Sequence, residues 1–180
     1  MKTPSIVLTS AFFLASVGAL ALGAAPAAAA EPTDAQIAHI VVTANQVDIN
    51  AGKLAQSKST NNDVKAFAKQ MVTDHTGVNK QATALVKKLK VKPEDNPTSK
   101  SLMSGGEDNI KKLKGLKGKD FDKAYIDNEV VYHQAVLDEI DKTLVPNAKN
   151  EELKGLIVKV QPAFVAHLEH AKQIQASLNK

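Results

Sequence analysis

Four stretches of the chain carry apolar residues at the three-and-four spacing of a helix, and in each the apolar stripe is interrupted by an ionisable side chain. The interruptions are Asp48 in the first stretch, His75 in the second, Glu129 and His133 in the third, and His167 in the fourth. Taking such a group out of water without a partner costs several kcal/mol, comparable with the net stability of a domain. A chain that does this on four helices can fold only if those side chains meet one another or share an ion.

The first thirty residues stand apart. Lys2 precedes an apolar run from Ile6 to Ala25, and Pro26 leads into an alanine tract where Ala28-Ala29-Ala30 offers a small-x-small cleavage site. Residues 1–30 read as a secretory signal peptide. An uncleaved anchor fits less well, because the apolar core is short and no basic stop-transfer cluster follows. Residues 31–180 are the expected mature domain, large enough for one hydrophobic core and destined for the bacterial periplasm or the medium. With no cysteine, the chain has neither disulfides nor thiolate chemistry. All 23 basic residues are lysines, so the planar fork that grips phosphate is missing, and aromatic rings for base stacking are few. A nucleic-acid partner is not expected.

The spacing predicts helix one over Thr33–Lys58, opened by a Thr33/Gln36 capping box, and helix two over Asp63–Lys90. Helix three is expected over Asp120–Leu144, ended by Pro146-Asn147, and helix four over Glu151–Leu178. The connection Val91–Lys119, broken by Pro93, Pro97 and Gly105-Gly106, is long enough to cross a bundle and has room for a short extra helix at Glu107–Leu116. No segment shows strand alternation. The expected fold is an all-α four-helix bundle. Pro162 should kink helix four, and Gly52, Gly77 and Gly155 are expected at close helix approaches.

On a helical wheel, His75, Glu129 and His133 lie within about 25° of their stripe centres, His167 within about 35° and Asp48 within about 50°. At 1.5 Å per residue, all five also fall near mid-height of helices about 40 Å long. One shared centre is therefore expected. Asp74 is placed to support it, His39 and His170 are expected in water, and Met71 is expected to fill the core.

Three neutral imidazoles with one or two carboxylates suit zinc or copper, and iron fits less well. A di-iron enzyme would need Glu-x-x-His pairs on two helices and a further glutamate on each of the others, and too few carboxylates converge here. The same five residues would equally serve a metal-free hydrogen-bond network that fixes helix packing, and the sequence leaves both readings open. From Lys87 to Lys123 eleven lysines face six acids, a stretch suited to weak contact with an anionic envelope surface or simply to solvation.

Taken together, Asp48-Ile-Asn-Ala-Gly-Lys-Leu-Ala55, Val64-Lys-Ala-Phe-Ala-Lys-Gln-Met-Val-Thr-Asp-His75, Phe121-Asp-Lys-Ala-Tyr-Ile126 with His133-Gln134, and Pro162 with His167-Leu168 resemble the secreted bacterial domain-of-unknown-function 4142 family. The resemblance implies a ferritin-like bundle in the envelope, associated with stress and without a settled activity. The family's histidines fall at His75, His133 and His167; its usual glutamate is here Asp48, one methylene shorter. A metal-binding protein without turnover is the leading expectation. A metal-free envelope protein and a ferritin-like metal-dependent oxidoreductase are the alternatives.

Overall fold

The computed structural model describes residues 31–180, so the expected signal peptide lies outside the described residues. Helix α1 spans Asp34–Lys58, α2 Asn62–Lys88, α3 Pro97–Gly115, α4 Gly118–Glu139 and α6 Glu151–Leu178. Helix α4 runs on through a five-residue π segment, Ile140–Leu144, into a last short turn, α5, at Val145–Asn147. Among the described residues there is no strand, and no helix is long and apolar enough to cross a membrane.

Helices α1, α2, α3 and α6 begin where the sequence provides a side-chain cap, whereas α4 starts at Lys117 without one. Thr33 and Gln36 exchange backbone bonds at the start of α1, while the Asn61 and Asn150 carbonyls accept the first amides of α2 and α6. Both oxygens of Asp34 accept the amides of Lys149 and Asn150, which ties the start of α1 to the start of α6.

Helices α1, α2, α4 and α6 form the bundle, with α1 packed chiefly on α2 and α4 on α6. Apolar residues at one end, including Ile37, Val78, Leu137, Ile157 and Phe164, make one core. Residues at the other end, including Ala55, Phe67, Met71, Tyr125 and Ile174, make a second. Met71 thus serves as core filler, as expected. On α1, α2 and α4 the ionisable intruders fall between these two sets, and on α6 His167 lies near their border, between Phe164 and Leu168 of the first core and just before Ala171 of the second, so a polar layer divides the dry interior.

The connection is more ordered than its sequence suggests. Instead of a short helix at Glu107–Leu116, the 19-residue α3 runs from Pro97 to Gly115 along α1. Pro97 opens it rather than breaking it: the first turn needs no amide donor there, and Asn96 and Ser99 close a capping box. Gly106 lets α3 approach α1, since a Cβ there would lie 2.8 Å from Val47 Cγ1. At the far end, Lys58 Nζ donates to the Leu113 and Lys114 carbonyls, filling acceptors that the helix terminus leaves open.

Two further expectations are corrected. Gly52 does mark a close approach, its missing Cβ lying 3.0 Å from the Ala68 carbonyl oxygen, but Gly77 and Gly155 face open space. Helix three does not stop at Leu144 as a plain α-helix. Near Pro146 it widens, with the Val145 amide donating five residues back to Ile140. Helix α6 is continuous through Pro162, which is exposed.

Candidate metal centre

The five expected residues come together and are buried: Asp48, Glu129, His133 and His167 are each 1% exposed and His75 is 4% exposed. Asp48 comes from α1, His75 from α2, Glu129 and His133 from α4, and His167 from α6. The rings of His75, His133 and His167 form a nearly equilateral triangle, with centroid separations of 5.3, 5.5 and 5.6 Å. One nitrogen of each lies within 4.8 Å of the others.

The tautomers follow from the partners. Asn45 Nδ2 donates to the Val41 carbonyl, so its Oδ1 faces His75 Nδ1 at 2.7 Å as an acceptor, and that nitrogen must carry the proton. His133 Nδ1 donates to the Glu129 backbone carbonyl at 3.0 Å. His167 Nε2 donates to Asp74 Oδ2 at 2.9 Å, and the Asp74 side chain is 41% exposed. The remaining nitrogens, His75 Nε2, His133 Nε2 and His167 Nδ1, have no hydrogen-bond partner. In neutral rings these atoms bear lone pairs, one on each ring of the triangle.

Burial lowers all three imidazoles. His75 falls to about 2, lowered further by the charges His133 and His167 would carry, and His133 falls to about 4. His167 is also lowered by burial, against the pull of Asp74. All three are neutral near pH 7.

Asp48 Oδ2 lies 3.1 Å from His75 Nε2 and 3.5 Å from His133 Nε2, at one side of the triangle. Glu129 sits on the other side of His133, its Oε2 3.4 Å from Nδ1, and pairs with Asp48. Burial raises both carboxyls, and Glu129 is raised further by the Asp48 charge and by the hydrogen bond between them. Glu129 is thus the partner that holds its proton more firmly, and Asp48, raised to about 7, is the one that ionises first. Outside this pair, no donor reaches either Asp48 oxygen.

The geometry thus offers two overlapping donor sets, His75 with His133 and His167, and Asp48 with Glu129 and His133, joined at His133. Phe164 stacks on His75 at 5.0 Å, and the Tyr132 ring stands edge-on to His133 at 6.2 Å, keeping the layer dry. Asp74 supports His167 as expected. Asn45 was missed by sequence reasoning, although a polar residue on the α1 stripe one turn before Asp48 was a readable sign. His39 is half-buried, 3.5 Å from Asp95, and His170 is half-buried against Gln70 and Phe67, so neither is freely solvated. In the lysine-rich segment, Lys88, Lys100 and Lys123 are paired with Glu152, Asp95 and Asp127.

Fold and centre together define a helical-bundle protein whose interior holds three histidines and a carboxylate pair. The chain belongs to the family described as domain of unknown function (DUF4142), whose model matches residues 19–174. No curated protein matches it in sequence. Its fold is similar to that of CopM in the Cu(II)-bound form, at 15% identity and a TM-score of 0.64, covering 82% of this chain and 99% of that one. It is also similar to a DUF305 protein from Streptomyces coelicolor, at 12% identity and a TM-score of 0.67, covering 81% and 93% of the two chains.

Proposed function

We propose that this protein is exported to the bacterial envelope, where it binds one copper ion through His75, His133, His167 and Asp48, holding the metal rather than turning over a substrate. The observation that carries the reading is the set of three unpartnered ring nitrogens, each belonging to a histidine whose other nitrogen is committed to an acceptor. Acceptors that fix the tautomer and orientation of a histidine are the usual outer support of a metal ligand. Imidazole and carboxylate donors suit Cu(II), which stands at the top of the divalent affinity order. The likeness to a bundle solved with Cu(II) supports copper over zinc or iron.

Glu129 is the proton-holding partner of Asp48 on this reading rather than a direct ligand. When bound, the ion supplies a positive charge that compensates the buried carboxylate. The protein's own contribution is to orient the donors and exclude water.

Untagged protein recovered from the periplasm is expected to contain copper, or to take up one Cu(II) per chain with a nitrogen-rich paramagnetic resonance spectrum. His75→Ala and His133→Ala should lose that uptake, while His39→Ala, remote from the centre, should keep it. A folded wild-type chain that takes up no copper, or preferentially takes up zinc from an equal mixture, contradicts the proposal. The first outcome would leave the metal-free hydrogen-bond network as the better account.

A further inference from the structure

A cavity of about 230 Å³ lies on the α3-facing side of the polar layer, among α1, α3, α4 with its π segment, and α6. Its deep wall is apolar and buried: Ile40, Ile157 and Phe164, with Ile140 and Leu144 supplied by the π segment. Its lining becomes exposed at Ser101 and Ala135 and half-buried at Thr98 and Glu139, so it opens to water between α3 and α4. A pocket of this kind leaves apolar side chains facing water that a fitting apolar ligand would cover.

We propose that this cavity is a binding site for a small aromatic molecule of about nine non-hydrogen atoms that carries one hydrogen-bond donor, such as an indole or a substituted phenol. The size follows by proportion, since an engineered apolar cavity of about 150 Å³ takes up benzene, with six carbons. The flat shape suits a lining that includes the ring of Phe164.

The donor follows from which polar groups are free. The Asn45 amide is committed at both ends, to Val41 and His75, and the Tyr132 hydroxyl donates to the Ala44 carbonyl. That leaves Glu139, the one charged residue of the lining, whose carboxylate only accepts, and the hydroxyls of Thr98 and Ser101, which can also accept. The carboxylate also selects against fatty acids and other anions. None of this requires a metal at the centre, so the inference stands or falls separately from the copper reading.

Titration of the full chain with indole by calorimetry is expected to show one site, with Kd on the order of 0.1 mM for a ligand this small. Indene, which has the same shape without the N–H, should bind at least about fivefold more weakly, and Glu139→Leu should remove that difference. Ala44→Leu and Val136→Phe each fill the cavity from a different helix and should abolish uptake while the helical circular dichroism is retained; two variants guard against one failing to fold. Absence of indole uptake by the wild type, or undiminished uptake by a folded filled variant, would overturn the site. Equal binding of indole and indene would overturn the donor requirement.

Discussion

Asn45 and Asp74 decide what the central histidines can do, because each gives an imidazole only an acceptor to meet and so turns its lone pair inward. The same burial makes the metal-free centre sensitive to pH in two opposed ways. The histidines are lowered in the folded state, so their contribution to stability is present above their unfolded value of 6.5 and is lost as pH falls below it. Asp48 and Glu129 are raised, so their contribution is full below the unfolded values of 3.8 and 4.5 and is lost as pH rises. Denaturant titrations of the metal-free protein between pH 4 and 8 should therefore show greatest stability at about pH 6. A steady rise through pH 8 would contradict these assignments. The five inward residues were legible from helical spacing alone, because 3.6 residues per turn fixes where each side chain points relative to its apolar neighbours. The division of labour between Asp48 and Glu129 was not, since it depends on which side of the His133 ring each carboxyl occupies.

Helix α3 shows how local chemistry can be misread. Asn96-Pro97 followed by Ser99 is a helix start, yet the same residues beside Pro93 and a Gly-Gly pair look like a loop. What settles the matter is tertiary: α1 offers a surface close enough that only a glycine at 106 fits, and Lys58 closes the far end. The π segment left even less trace, because Pro146 marks the helix end but not how the preceding turn rearranges. The glycines allow a direct comparison between elements. Gly52→Ala should destabilise the protein by about 1–3 kcal/mol, because its Cβ meets the Ala68 backbone carbonyl, which cannot swing aside. Gly77→Ala, with open space around it, should be stabilising by up to about 1 kcal/mol through helix propensity. Thermal unfolding of the two variants side by side tests this, and equal losses would mean that close approach is not what Gly52 provides.

Across the whole molecule, the polar layer touches all four bundle helices, one donor group from each: Asp48, His75, His133 and His167. An ion seated among them would act as a rivet through segments far apart along the chain, stabilising the folded state because the unfolded chain does not present those donors together. Amide hydrogen exchange should accordingly slow on α1, α2, α4 and α6 together when copper is added, rather than only near one pair of helices. Slowing confined to two helices would show that the remaining donors do not take part. The two dry plugs on either side of that rivet would then open and close as a single unit, so the fate of the metal and the lifetime of the fold become one quantity.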